Sequence, residues 1–162
     1  MIIAGTGHQP DKLGGYDFYN EKGLSRLTDL AVAAIKRYKP EKIISGMALG
    51  WDTGLALGAI RASVPLIAAV SFKGQELKWT PEQQKTYRFV LEKAQEVVVV
   101  NKNPHAPLAM QHKIEFLVEW CDMVLALWNG SHGDAYNILK YAHTRKRPVF
   151  NLWSSWVKYK DK

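Results

Sequence analysis

Short apolar segments alternate with helix-forming segments along the whole chain, and this alternation is the strongest constraint on its fold. Strands are predicted over residues 2–5, 42–45, 65–72, 96–101, 123–128 and 148–152. Helices are predicted over residues 24–38, 52–62, 81–94, 108–120 and 135–144. Nearly continuous apolar strands that alternate with helices are typical of a parallel sheet covered on both faces. The sequence therefore predicts an α/β fold, a Rossmann-like, doubly wound, mainly parallel sheet flanked by helices.

The length and composition fit one folded domain that spans residues 1–162. Hydrophobic residues make up 47% of the chain and charged residues 23%, which is typical of a globular protein. No apolar run approaches the roughly 18 to 20 residues of a membrane span, and the apolar N-terminus lacks the basic segment of a signal peptide. Cys121 is the only cysteine, so a reducing, cytoplasmic location is predicted. Its helical spacing with Ile114, Leu117 and Val118 indicates a buried structural thiol.

The chain is basic, with 22 Lys and Arg residues against 15 Asp and Glu residues and a net charge of +7. This excess favours anionic partners such as nucleotides, phosphates or nucleic acid. Much of it lies in residues 140–147 and 158–162, where a solvated basic face would explain it equally well.

Small and polar residues follow the predicted strands at the edge of the sheet where the strands end. These turns are residues 5–10, 46–52, 73–75, 101–104 and 129–134, and they hold seven of the twelve glycines. Glycine lets a ligand approach the backbone closely, and doubly wound sheets bind ligands beyond the carboxyl ends of their strands. Gly50 and Gly133 precede predicted helices, whose N-terminal N–H groups suit a phosphate or carboxylate. Any one turn is explained by ordinary turn geometry, but together they indicate a pocket for a nucleotide-sized anionic ligand.

Four side chains in these turns are candidates for chemistry, and each has a simpler structural alternative. His8 is either a hydrogen-bond donor or general acid, or a solvated turn residue. Asp52 lies near a predicted helix start, where an N-cap is its ordinary role, although acidic residues also hold ribose hydroxyls in nucleotide sites. Asp52 and Asp134 are the carboxylates at this edge that cleavage of an N-glycosidic bond would need. Ser131 either donates to a phosphate or forms a turn.

Histidines and tryptophans elsewhere carry weaker signals. His105 and His112 lack carboxylates or cysteines at ligand spacing, so no metal site is predicted. Trp51 and Trp128 adjoin the predicted pocket, where they either stack on a base or pack in the core. Packing is the expected role of both.

Three segments together resemble the SLOG superfamily, which unites the DprA/Smf proteins with the LOG phosphoribohydrolases. They are AGTGHQPDKLGGY, SGMALGWD and MQHKIEFLVEWCDMVLALWNGSHGDAYN. The sequence is most similar to the small YpsA/YoqJ-like branch of bacteria and their phages. The resemblance covers nearly the whole chain and implies a Rossmann-like pocket for a nucleotide or nucleotide derivative. It carries binding roles to Gly5, Thr6, Gly7, His8, Gly46, Ala48, Leu49, Gly50, Asp52, Gly130, Ser131 and Gly133.

The chain departs from the pattern of that branch where a phosphate is expected to bind. Gln9 stands in place of an arginine, which removes a charge and a bidentate donor. Asp134 and Ala135 replace the Gly-Thr of the phosphate loop, and Lys113 replaces another arginine. Gln9 and Asp134 still belong to the predicted ligand-binding set. They indicate a ligand with fewer phosphates, a different pose, or a site that has lost its function.

The leading hypothesis is a protein that senses or sequesters a nucleotide-derived small molecule, and in a phage an ADP-ribose-like immune signal would fit. Asn137 stands where LOG enzymes carry a glutamate and cannot act as a general base, which argues against LOG-type hydrolysis. An N-glycoside hydrolase or transferase using Asp52, Asp134 or His8 is the first alternative, and DprA-like single-stranded nucleic-acid binding is the second. No cofactor is expected. A homo-oligomer is predicted, with the apolar tail 149–157 and its two tryptophans as a candidate interface.

Overall fold

Six parallel strands form one sheet in the computed structural model, which describes residues 1–105 and 107–162. The strand order is β4-β3-β2-β1-β5-β6, and every neighbouring pair is parallel. The strands are β1 Ile2–Gly7, β2 Lys42–Ser45, β3 Leu66–Val70, β4 Glu96–Val99, β5 Met123–Leu127 and β6 Val149–Asn151. The predicted α/β, doubly wound parallel fold is therefore confirmed.

Helices cover both faces of the sheet. Successive residues of a strand point to opposite faces, so each strand contributes to two cores. The helices are α1 Tyr16–Phe18, α2 Leu24–Tyr38, α3 Trp51–Arg61, α4 Pro81–Lys93, α5 Ala109–Glu119, α6 Asp134–Thr144 and α7 Trp153–Lys160. In β1, Ile3 packs with the core beneath α2, α3, α4 and α7. The next residue, Ala4, packs with the core beneath α5 and α6.

The helix α4 begins with the N-terminal cap that the sequence predicts. Thr80 is the N-cap: its hydroxyl accepts a hydrogen bond from the Gln83 N–H at 3.3 Å. The Gln83 side chain accepts one from the Thr80 N–H at 3.1 Å. Pro81 occupies the first helical turn, where its missing N–H is not needed. The predicted cap at Thr80 is confirmed.

Two parts of the chain are more ordered than the sequence predicts. Residues 16–23 form the short helix α1 and a π-helical turn, Tyr19–Gly23. The tail forms α7, in which Trp156 is only 1% exposed and packs against Phe18 with ring centroids 6.4 Å apart. The prediction that Trp156 serves an interface between molecules is therefore wrong, because this side chain completes the core of its own chain.

Cys121 is buried, as its spacing predicts, and its thiol donates to the Val118 carbonyl at 3.4 Å. Burial raises the pKa of this thiol to about 11, so it is protonated and unreactive near neutral pH.

No helix in residues 1–105 and 107–162 is long and apolar enough to cross a membrane.

Candidate ligand-binding site

A cleft opens between the turns that follow β1 and β5. These strands are neighbours, and Gly7 pairs with Leu127 at their carboxyl ends. From β1 the chain continues toward β2 and β3, whereas from β5 it continues toward β6 on the other side. The two turns therefore diverge at the topological switch point, where doubly wound folds bind ligands. The cavity there has a volume of about 400 Å³ and is lined by Gly7, His8, Gln9, Asp11, Lys12, Tyr16, Ser131, His132, Gly133, Asp134 and Ala135.

His8 ties the turn after β1 to its surroundings. Its N–H donates to the Leu127 carbonyl at 3.0 Å, and its carbonyl accepts from the Trp51 N–H at 3.1 Å. Its ring Nε2 lies 2.9 Å from Asn129 Oδ1 and 3.0 Å from the Asn129 N–H. The side chain is 8% exposed, and burial lowers the pKa of the imidazole. His8 is therefore a neutral side chain near pH 7 that fixes the opposite turn through Asn129.

Hydrogen bonds within the turn after β5 fix its conformation. The Ser131 N–H donates to Asn129 Oδ1 at 3.0 Å, and the indole N–H of Trp128 donates to the Ser131 carbonyl at 2.6 Å. Gly130 has a φ of 95°, a conformation that favours glycine. Trp128 thus shapes this turn, in keeping with the packing role expected from the sequence.

The N-terminus of α6 faces this cleft. Gly133 is its N-cap and offers no side chain to bond the first N–H groups of the helix. Lys12 lies on the other side, and its ammonium donates to Ser131 Oγ at 3.3 Å. Unpaired helix N–H groups and an ammonium are donors that suit an anion. The lining also holds two carboxylates, Asp11 and Asp134, which oppose that attraction.

Gly5 and Gly7 have a packing role that the sequence does not distinguish from ligand binding. A Cβ on Gly5 would collide with Leu55 Cδ2. A Cβ on Gly7 would lie 2.7 Å from Trp51 Cδ1 and 2.8 Å from the Leu127 carbonyl oxygen. Both glycines therefore allow α3 to lie close over β1. Gly5, the buried Thr6 and Gly7 are the last three residues of β1, so they belong to the strand and not to a turn.

Trp51 cannot stack on a base in the cleft. Its side chain is fully buried, and its indole N–H donates to the Leu125 carbonyl at 3.2 Å. The stacking alternative is therefore wrong for this residue, and core packing is confirmed.

The turn of residues 46–52 does not line the cleft but packs behind the turn after β1. Gly50, with a φ of 93°, is the N-cap of α3. A Cβ there would lie 2.8 Å from Gln9 Cα, so the two turns touch through backbone. Leu49 lines a separate cavity with Tyr19 and Thr53. The N-cap role considered for Asp52 is wrong, because Gly50 occupies that position.

Asp52 is a buried carboxylate with few partners. It is 8% exposed; Oδ2 accepts from the Ala48 N–H at 3.3 Å, and Oδ1 has no hydrogen-bond partner among the described residues. Burial raises the pKa of this carboxyl to about 6, Lys113 and the Ala48 N–H oppose that rise, and Asp134 adds to it. The Lys113 ammonium donates to the Gly46 carbonyl at 3.4 Å. Asp52 thus lies beneath Lys113 and beside Gly46.

The turns after β3 and β4 support the site at a distance. Gln75 donates to the Met47 carbonyl at 3.0 Å and accepts from the Ser71 N–H at 2.9 Å. Asn101 is buried and donates to the carbonyls of Ser71 and Ala109. Neither turn lines the cleft, so two of the five glycine-rich or polar turns form it and a third backs it.

Sequence reasoning omitted several residues that line the cleft. Asp11, Lys12, Tyr16 and His132 are in the lining but not in the predicted set. The first three follow the GTGHQ turn directly, and a prediction that extended the turn into the next segment would have included them.

In residues 1–105 and 107–162, no group of three His, Cys, Asp or Glu side chains is placed to hold a metal ion.

A parallel, doubly wound sheet with a polar cleft at its switch point is a Rossmann-like fold. The sequence is similar to the SPbeta prophage-derived protein YoqJ of Bacillus subtilis (strain 168), with 26% identity over an aligned length of 117 residues. The match covers 62% of this chain and 68% of YoqJ. This match bears out the predicted similarity to YoqJ-like proteins of bacteria and their phages. No family model matches the chain.

Solved structures share the fold at low sequence identity. DNA processing protein A (DprA) from Streptococcus pneumoniae matches with a TM-score of 0.63 and 14% identity, over 92% of this chain and 49% of that one. The molybdenum cofactor binding protein from Rippkaea orientalis matches with a TM-score of 0.56 and 15% identity, over 93% and 74%. DprA from Helicobacter pylori matches with a TM-score of 0.58 and 13% identity, over 93% and 64%. This chain spans about half the length of the S. pneumoniae protein.

Proposed function

We propose that this protein binds a nucleotide-derived small molecule in the cleft between the turns that follow β1 and β5. The observation that carries the proposal is the convergence of two donor groups on one cavity at the switch point. These are the uncapped N-terminus of α6 and the ammonium of Lys12. The volume of about 400 Å³ is in the range of small-molecule sites.

The cleft suits a ligand that combines one anionic group with hydroxyl groups. The anionic group would lie against the first N–H groups of α6, within reach of Lys12. The carboxylates of Asp11 and Asp134 accept hydrogen bonds and would pair with ligand hydroxyls, as acidic residues do with ribose. Tyr16 is 44% exposed and lines the cleft, so its ring is available to stack on a base.

The relatives support this proposal at the level of the fold only. The R. orientalis protein is described as binding the molybdenum cofactor, and the H. pylori protein as binding single-stranded DNA. Both show that this sheet architecture can hold a ligand. Function depends on the residues of the site rather than on the fold.

The first experiment looks for a ligand that is purified with the protein. The protein is denatured, and released small molecules are identified by mass spectrometry. Nucleotides, ADP-ribose derivatives and cyclic dinucleotides are then screened by thermal shift. We expect at least one of them to raise the melting temperature of the native protein, because binding to the folded state stabilises it.

Lys12→Ala tests the assigned site, with Lys22→Ala as the matched control because Lys22 is exposed and outside the cleft lining. Loss of a charged hydrogen bond should weaken binding by roughly tenfold or more in K12A, and K22A should bind as the unmodified protein does. The proposal fails if no probe shifts the melting temperature, or if the two variants bind equally.

Single-stranded nucleic-acid binding is the second candidate, favoured by the net charge of +7 and by the fold shared with DprA. Contacts to a phosphate backbone weaken steeply with salt. A salt-sensitive gel shift with a single-stranded oligonucleotide would support this function, and its absence would exclude it.

Cleavage of an N-glycosidic bond is the enzymatic alternative, favoured by one observation. Asp52 is a buried acid whose pKa is raised to about 6 by burial, with a smaller contribution from Asp134. Such an acid can donate a proton near neutral pH. If D52N and D134N leave nucleoside or nucleotide hydrolysis unchanged, this alternative fails.

A further inference from the structure

We infer that the cleft selects ligands with a single phosphate over ligands with a diphosphate or triphosphate, and that Asp134 is the residue that imposes this selectivity. The inference rests on the proposed function and names the ligand class of that same site. It follows from the balance of charges that line the cleft.

The lining holds more negative than positive charge. Lys12 is the one lysine or arginine among the lining residues, whereas Asp11 and Asp134 both contribute carboxylates. His8 adds no positive charge near pH 7, because burial lowers the pKa of its ring more than the hydrogen bond with Asn129 raises it. Gln9 is neutral. The cleft is therefore locally acidic on a protein whose net charge is +7.

Asp134 lines the cleft at the start of α6. It is the first residue of α6, so its carboxylate stands beside the N–H groups that would receive an anion. Asp134 is among the residues that line the cleft, and its charge adds to the raised pKa of Asp52.

The first phosphate and the second therefore meet different surroundings. The first is balanced by the α6 N–H groups and by Lys12. The second finds no further lysine or arginine in the lining and adds its charge next to Asp134 or Asp11. Like charges at close range repel each other strongly when partly shielded from water, so the acidic lining penalises each added phosphate.

The test compares AMP with ADP, and inorganic phosphate with pyrophosphate, by isothermal titration calorimetry. The second pair removes any contribution from a base or sugar. Unmodified protein should bind AMP and phosphate about tenfold more tightly than ADP and pyrophosphate. D134N should favour the diphosphates, raising their affinity about tenfold more than that of the monophosphates. D11N serves as a second variant with the same direction of change, and D161N at an exposed terminal position is the control.

The outcomes separate this inference from the proposed function. If phosphate or AMP binds and K12A weakens that binding by roughly tenfold or more while K22A does not, the proposed function stands. The selectivity is then overturned if the unmodified protein binds pyrophosphate at least as tightly as phosphate, or if D134N changes both affinities by the same factor. If none of the four probes binds to the unmodified protein, the selectivity is overturned, whereas the proposed function is still decided by the wider thermal-shift screen.

Discussion

Replacement of Asp52 with asparagine is expected to stabilise this protein at neutral pH. Asp52 is buried, has one hydrogen bond at 3.3 Å and leaves Oδ1 without a partner among the described residues. The surroundings therefore favour the protonated carboxyl over the carboxylate. Asparagine has nearly the same shape and no charge, so it keeps an acceptor for the Ala48 N–H and removes the unfavourable ion.

The magnitude follows from the two pKa values. Burial raises the pKa of Asp52 from 3.8 to about 6, and at about 1.4 kcal/mol per pH unit the carboxylate costs up to about 3 kcal/mol of folding free energy. The folded state binds this proton more tightly than the unfolded state does. The contribution of Asp52 to stability is therefore lost as pH rises from about 4 to about 6 and stays lost above that range. D52N has no such group and should escape this loss.

The assay is urea unfolding of the unmodified protein and D52N at several values between about pH 4 and pH 8, with D161N as an exposed control. Near pH 4 the two proteins should have similar free energies of unfolding. Near pH 7.5, D52N should be more stable by up to about 3 kcal/mol, and its melting temperature should be higher by roughly 6 to 12 °C for a domain of this size. A D52N protein that is less stable than the unmodified one at pH 7.5 would refute the reasoning. That result would mean that Lys113 fully compensates the buried charge.

Three further substitutions test the packing that supports the site, each by urea unfolding. Gly5→Ala should cost about 2 kcal/mol because its Cβ would collide with Leu55, and an unchanged stability would show that α3 can shift outward. Trp156→Ala should cost about 3 to 5 kcal/mol because it empties a fully buried position, and a cost below about 1 kcal/mol would place α7 outside the core. Thr80→Ala should cost about 1 kcal/mol through the lost bond to the Gln83 N–H, whereas a neutral result would mean that water replaces the cap.

The strands and long helices could be predicted from the sequence because their signals are local. The apolar run of β5 and the helical spacing of α2 need no knowledge of neighbouring segments. The helix α7 could not be predicted in this way, because it is short and its burial depends on Phe18, which is distant in sequence. The π-helical turn at Tyr19–Gly23 follows from a similar cause: the Tyr19 hydroxyl accepts from the Gly50 N–H at 3.3 Å.

The site could be predicted only in part. The rule that ligands bind at the carboxyl ends of strands points to the edge of the sheet at which the cleft lies. It could not decide which turns meet there, since that depends on the strand order rather than on any one turn. Lys12 was omitted because it lies beyond the turn, and it reaches the cleft only because its side chain spans to Ser131.

The glycines show how a packing requirement can resemble a binding motif, and a pair of variants separates the two. Gly5 leaves room for the Leu55 side chain and so sets the distance between α3 and β1. At Gly130, in contrast, no described atom lies within 4 Å of the position that a Cβ would take. Gly130 has instead a φ of 95°, which shapes the turn before α6. Gly130→Ala should therefore cost only about 1 to 2 kcal/mol of stability but weaken AMP binding by roughly tenfold, through a displaced Ser131 and α6 N-terminus. Gly5→Ala should show the reverse, a larger loss of stability with AMP affinity within about threefold of the unmodified protein. Urea unfolding and calorimetry on the same preparations would measure both quantities. If G130A binds AMP normally, the turn after β5 does not form the anion site, and the positive φ of Gly130 serves only the path of the backbone into α6.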